Sequence, residues 1–118
     1  MAKYADGFVL PVPKDKVEDY RQIAQQAGEV WREHGALEYY ECVAEDVNVG
    51  ELTSFPRSVQ AEDGETVVFA WVIYESRAER DRINELVMKD PRITSSSDDV
   101  PVDMKRMFFG GFDVIVEA

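Results

Sequence analysis

The chain reads as an α+β domain of the ferredoxin-like βαββαβ type, an antiparallel sheet with two helices on one face. Three observations predict this. Thr66–Tyr74 (TVVFAWVIY) is a near-unbroken apolar run of β-branched and aromatic residues, of strand length and in need of cover on both faces. Val17–His34 and Arg77–Met88 carry apolar residues at helical spacing. The resulting order of strand, helix, strand, strand, helix, strand is the split βαβ arrangement, with the first and third strands central.

Tyr4–Val12 is the first strand, closed by Pro11 and Pro13, which suit a strand end and a helix start. Asp15 followed by Glu18 resembles a capping box. Val17, Tyr20, Ala24, Ala27 and Trp31 then form one apolar stripe, and Gly35 stands where a left-handed residue ends a helix. Ala36–Ala44 is the second strand, with Leu37, Tyr39, Glu41 and Val43 on one face and Glu38, Tyr40, Cys42 and Ala44 on the other. Glu45–Glu65 is a polar connection with Gly50, Pro56 and an Asp63-Gly64 turn; loops of this length are often functional or reach over a neighbouring subunit.

In the third strand Val67, Phe69, Trp71 and Ile73 point one way, and Val68, Ala70, Val72 and Tyr74 the other. The second helix turns Ile83, Leu86 and Val87 inward and stops at Asp90-Pro91. Ile93–Lys105, with its Ser-Ser-Ser-Asp-Asp run, reads as a flap. Arg106–Val116 is the fourth strand, in which Gly110-Gly111 suggests a bulge or a close backbone approach.

The 118 residues make one domain, 1–118, and 45% of them are hydrophobic, as in ordinary globular proteins. A net charge of -11, from 24 acidic and 13 basic residues, works against phosphate-backbone and anionic-membrane binding, so neither nucleic acid nor membrane is an expected partner. Cys42 is the single cysteine, the N-terminal MAKYADGFVLPVPK holds no apolar stretch of signal-peptide length, and no segment approaches the length of a membrane span. A cytoplasmic setting is the expectation. Two helices cover one sheet face, yet large apolar residues stand on both. Their exposure would exceed the apolar patch a monomer usually tolerates, so a homodimer with sheets packed face to face is expected.

YADGFVLPVP, VWREHGALEYYECVAEDV, TVVFAWVIYESRAERDRIN, the DPR at Asp90–Arg92 and KRMFFGGF together resemble the YbaA-like family of bacterial proteins, a domain of unknown function. The resemblance covers nearly the whole chain. It implies a dimeric α+β barrel, in which two ferredoxin-like subunits pair their sheets. That superfamily includes cofactor-free monooxygenases, isomerases and haem-degrading enzymes, as well as members without known activity. The family supplies no catalytic residues to carry over.

His34, the single histidine, is a candidate general acid or base; equally, a histidine in a last helical turn interacts well with the helix dipole. Glu38 and Glu41 fall on opposite faces, with Glu41 expected in the dimer space beside Tyr39. Asp6 and Asp113, set among apolar strand residues, either share a proton as a pair or accept bonds from Arg80, Arg92 or Arg106. Trp31, Tyr39, Phe69 and Trp71 are candidates to line a pocket for a flat apolar ligand, or are plain core. Arg77, Arg80 and Arg82 read as a solvated helix face. Phosphate-loop, nucleophile-elbow and zinc spacings are absent, so no cofactor and no soft-ligand metal site are expected, an all-carboxylate site being the one metal alternative left open.

The leading expectation is therefore a homodimer that binds an apolar or aromatic small molecule beside the sheet, near Trp71 and His34, with Glu45–Glu65 and Ile93–Lys105 gating entry. The alternatives are a cofactor-free oxygenase or isomerase using His34, Glu41, Asp6 or Asp113, and a purely structural or interaction module.

Overall fold

Glu65–Tyr74, longer by one residue than the expected strand, is an inner strand of a four-stranded antiparallel sheet. The computed structural model describes residues 2–94 and 101–118. Its elements are β1 (Tyr4–Pro13), a 3₁₀ turn (Lys14–Lys16), α1 (Val17–His34), β2 (Glu38–Val43), α2 (Phe55–Ser58), β3 (Glu65–Tyr74), α3 (Arg77–Lys89), α4 (Pro91–Thr94) and β4 (Phe108–Asp113). The strand order is β2-β3-β1-β4, so β1 and β3 are central and the fold class is the ferredoxin-like α+β one.

Register divides the side chains of the sheet into two sets. Tyr4 faces Tyr74, Phe8 faces Ala70 and Leu10 faces Val68 across β1 and β3, while Tyr39 faces Val72 across β2 and β3. These residues form the inner face. Val72 and Tyr74 pack with Val30 of α1 and with Ile83 and Val87 of α3, all of them buried. Gly28 lets α1 approach β2 closely, because a Cβ there would sit 2.7 Å from the Tyr39 ring. Gly35, at φ 122°, ends α1: its N–H donates to the Arg32 carbonyl, and the N–H of Ala36 reaches back to Trp31.

The outer face carries Tyr40, Phe69, Trp71, Phe108 and Phe112. Phe69 is 40% exposed, Tyr40 50% and Phe112 62%. Their rings touch: Tyr40 to Trp71 at 5.2 Å and Phe69 to Trp71 at 5.5 Å between centroids, with Phe55 of α2 edge-on to Phe69 at 5.8 Å. The Phe112 ring lies over the bare backbone of Gly7 and Gly110. One end of this face is covered. Val59, just after α2, packs on Val9 and Val67 with Ala44 and Ala61 around them.

The Glu45–Glu65 connection therefore lies on the outer face, and none of its residues lines either cavity described below. This corrects the expected gate: Val59 finds apolar partners only on that side. The capping box at Asp15 and Glu18 does not form either. Lys16 stands at the cap position of α1 without a side-chain bond, and Glu18 is taken by Arg21 at 2.7 Å. Side-chain caps are instead supplied by Ser54, whose Oγ accepts from the N–H of Arg57 at 3.1 Å to start α2, and by Ser76, whose Oγ accepts from the N–H of Glu79 at 3.2 Å to start α3. β4 is shorter than expected because Arg106 is held in a turn by Asp103 and bidentately by Glu65, at 2.7 Å for each bond to Glu65. Within the expected flap, residues 95–100 lie outside the described residues, and Pro91–Thr94 is helical.

The DPR sequence fastens the end of α1 to the end of α3. Asp90 accepts from Arg92 Nε at 3.0 Å, from Arg92 Nη2 at 2.8 Å and from the Arg92 N–H at 2.9 Å, and it contacts His34 Nε2 at 3.2 Å. Arg92 reaches on to Glu33 at 2.7 Å. The Arg92 side chain, then its N–H, hold the Asp90 carboxyl below its ordinary value of 3.8. A carboxyl depressed in the folded state contributes stability above its unfolded pKa and loses it as the pH falls through the folded one. Asp90→Asn is thus expected to be less stable than wild type at about pH 7, with the difference shrinking from about pH 4 downward. Urea midpoints across that range check it; a constant difference contradicts it.

Candidate ligand cleft

Two cavities border the inner face. One, of about 520 Å³, lies between the helices and strands β1, β3 and β4; the other, of about 650 Å³, lies between α1 and the edge strand β2. Tyr20, Ala24, Tyr39 and Glu41 line both, so they form the partition. The first is the candidate site. Phe8, Leu10, Ala70 and Val72 make its floor, and Ile23, Ala27 and Trp31 of α1 part of its roof. Met88, Met104 and Phe109, each more than half exposed, stand at its rim.

Glu41 sets the polar character of one end. Its two carboxylate oxygens accept from the hydroxyls of Tyr20 and Tyr39. Burial first, and then the charge of Glu41 and its hydrogen bond, push both phenols up, so they stay protonated as donors. The helical stripe on α1 delivers Tyr20, and the alternation of β2 delivers Tyr39 and Glu41 to the same face.

Asp6 sets the other end. It is 5% exposed, the one charged residue in the buried set among the described residues. Arg80 Nε lies 3.4 Å from Asp6 Oδ1, and Asn84 Nδ2 lies 3.5 Å from Oδ2. Arg80 also donates to the Tyr4 hydroxyl at 3.0 Å and stands over the Tyr4 ring, 4.9 Å from its centroid. A Cβ at Gly111 would collide with that hydroxyl and with Arg80 Nη2, so the close approach suggested by the glycine pair is occupied by this guanidinium. Behind Asp6, Trp31 Nε1 donates to Tyr74 Oη and to Asn84 Oδ1, and Tyr74 donates to Asn84 Oδ1, each at 3.1 Å. Burial, then the charge of Asp6, push the Tyr74 phenol up.

The expected site residues divide between places. Asp6, Glu41, Trp31 and Tyr39 line the cleft. Phe69 and Trp71 do not: alternation along β3 turns them to the outer face, and the sheet lies between them and the cleft. His34 lines neither cavity and is engaged by Asp90, so the pocket expected beside Trp71 and His34 is replaced by one beside Trp31 and Asp6. Glu41 lies under α1 rather than in the space a second sheet would occupy. Asp113 is exposed opposite Tyr4, while Asp6 faces Gly111 and is bound by Arg80, so the two acids do not act as a pair.

The sequence offered Arg80 both as part of a solvated helix face and as one of three partners for Asp6, and the second holds; it missed Asn84 and Tyr20 as polar members of the site. The signal was present: positions 80, 83, 84 and 87 share the helix face on which Ile83 and Val87 are buried. Among the described residues, no group of three or more His, Cys, Asp or Glu side chains is placed to hold a metal ion, and no helix is long and apolar enough to cross a membrane.

Comparison with known proteins fits this architecture. The family model described as "Protein of unknown function (DUF1428)" matches residues 3–104. The chain is 45% identical over 115 residues to "Uncharacterized protein YbaA" of Escherichia coli strain K12, covering 98% of each. Among solved structures it is similar to a nipsnap family protein with unknown function from Agrobacterium tumefaciens, with a TM-score of 0.61 at 12% identity, over 95% of this chain and 87% of that one. A dimeric ferredoxin-like protein from an uncultured marine organism gives a TM-score of 0.57 at 10% identity, over the full length of both chains. At such identities the structural likeness bears on the fold alone.

Proposed function

Because the chain belongs to the DUF1428 family, whose description assigns no activity, we propose a function from its geometry: a cytoplasmic homodimer, paired through the outer sheet face, that binds an apolar or aromatic small molecule in the cleft of each subunit. The observation that carries the ligand reading is the cleft of about 520 Å³, apolar along its length with a carboxylate at each end. That is the usual make-up of a small-molecule site: apolar walls with few, convergent polar groups. A purely structural module has less support, since the side chains of the described residues leave this space unfilled.

The outer aromatic cluster supports pairing. Tyr40, Phe69, Phe108 and Phe112 form an exposed surface across the whole sheet, of the kind that marks an interaction site. A standard interface buries about 1,600 Å² in all, and aromatic residues at its centre contribute most of the affinity. A second copy of the same face is self-complementary by two-fold symmetry. The marine ferredoxin-like neighbour, described as dimeric, is consistent with that choice.

An enzymatic reading is favoured by one observation, the buried Asp6 carboxylate at the head of the cleft. In it Asp6 moves a proton on the bound molecule, and Asp6→Asn removes turnover while His34→Ala keeps it. Native mass spectrometry of the protein purified from cells, with and without added naphthalene, tests the binding proposal. A dimer carrying up to one small molecule per subunit is expected. A bare species that takes up no naphthalene contradicts it.

A further inference from the structure

We infer that residues 47–55 of the long connection clasp a second copy of this chain, with Leu52 set against the far end of the partner's outer face. This rests on the pairing proposed above and names what meets across it. One observation is a group of apolar side chains held in water. Leu52 is 97% exposed and Val49 59%, Val47 is exposed as well, and Phe55 joins them to the aromatic cluster through Phe69. The stretch that carries them is braced. Arg57 Nε donates to the Val49 carbonyl and Arg57 Nη2 to the Gly50 carbonyl, both at 2.9 Å, and Ser54 caps α2. Gly50 has φ 66°, and a Cβ there would stand 2.8 Å from the Thr53 carbonyl oxygen, so the turn requires glycine. A built turn that presents several adjoining apolar side chains outward, continuous with an exposed aromatic face, has the make-up of an interaction surface.

The place of the connection on the face decides what it meets. Register sets the outer side chains in rows across the strands. Glu38, Ile73, Ala5 and Phe112 make the row at one end, and Val67 and Pro11 belong to the row at the other. Val59 packs on Val9 and Val67, so the connection occupies the second end, over the two central strands. Sheets packed face to face lie about 10 Å apart, which is about the width of a helical turn with its side chains. The connection therefore fills the whole layer between paired sheets at its end. Two copies related by a two-fold axis along the strands would lay like end on like end and drive both connections into one space. A two-fold axis across the strands avoids this by swapping the ends. Each connection then lies against the open row of the other copy, where Leu52 meets the partner's Ala5 and the partner's Phe112.

Cross-linking tests this in protein carrying Cys42→Ser, which removes the single native thiol. Ala5→Cys and Leu52→Cys together, treated with bismaleimidoethane, are expected to give a covalent dimer, and either cysteine alone is expected to give none. Within one subunit the two positions belong to opposite ends of the face, so the link forms between copies. Leu52→Asp is expected to raise the dimer dissociation constant about tenfold to a hundredfold in sedimentation, as loss of an apolar anchor from both halves of an interface does. Its far-ultraviolet circular dichroism should be unchanged, because Leu52 faces solvent within one subunit. A link through Leu52→Cys alone places like ends together and overturns the clasp. So does a dimer that the cysteine pair leaves unlinked, or one whose dissociation constant Leu52→Asp does not change. A wild-type protein that is monomeric at every concentration overturns the pairing itself.

Discussion

Phe69→Asp is expected to turn the protein into a folded monomer. Phe69 is at the centre of the outer aromatic cluster, between Phe55 and Trp71, and its side chain faces away from both helices. Within one subunit it is 40% exposed, so a carboxylate there remains partly solvated and the fold survives. Across a two-fold interface the substitution acts twice: each copy loses an aromatic anchor and brings a charge into a face that pairing would dry. Loss of one central aromatic typically costs about 2 kcal/mol or more, and two buried carboxylates add a comparable or larger penalty. A dimer of micromolar or even nanomolar affinity dissociates under that load at ordinary concentrations. Size-exclusion chromatography with light scattering reads the mass, and far-ultraviolet circular dichroism reads the fold. A variant that stays dimeric removes the sheet face as the interface.

Arg80→Met is expected to be the most destabilising change that leaves backbone and volume nearly intact. It strips the buried Asp6 of its compensating charge, removes the cation above the Tyr4 ring and frees the Tyr4 hydroxyl. Removing one partner of a buried ion pair costs about 3 to 5 kcal/mol, because the remaining charge is stranded in low dielectric. The double variant Asp6→Asn with Arg80→Met should recover most of that loss, since an amide in place of Asp6 carries no charge to compensate. Urea denaturation at one fixed protein concentration, needed because pairing contributes to apparent stability, measures both. A loss below about 1 kcal/mol would place Arg80 with the exposed pairs and take away its role at the cleft.

Much of this fold was legible in the chain because its signals are local. The stripe from Val17 to Trp31 has one period and a glycine stop, and α1 spans the expected residues. The TVVFAWVIY run leaves no alternative to a central strand, and alternation alone sorts Phe69 from Ala70. Alternation does not tell which set the helices cover. That depends on the hand of the connections, and it decides that Trp31 and Tyr39 line a cleft while Phe69 and Trp71 do not. Of the three arginines expected as partners for Asp6, local pattern did not choose one, and the fold supplies Arg80; the packing of Val59 on Val9 and Val67, which lays the long connection on the outer face, was beyond local pattern altogether. The misplaced cap is instructive in a different way. Asp15 and Ser76 both stand three residues before a glutamate, but Asp15 falls inside a 3₁₀ turn and only Ser76 has the extended backbone a cap requires.

Pairing and binding are separable in this architecture. The cleft lies on the helix side of the sheet and the aromatic cluster on the other, with β1 and β3 contributing residues to both. Gly7 and Gly110 keep the outer face flat enough for the Phe112 ring to lie on it, while the next position, Gly111, admits Arg80 on the inner face. A change at Phe69 should thus alter mass without altering naphthalene binding by the surviving monomer.

The pairing of outer faces is the claim on which the rest leans, and sedimentation equilibrium of the wild-type protein over a wide dilution series tests it most directly. A single species of twice the chain mass at micromolar concentration is the predicted result. A folded monomer at every concentration, with Phe69 and Trp71 left in water, would contradict it.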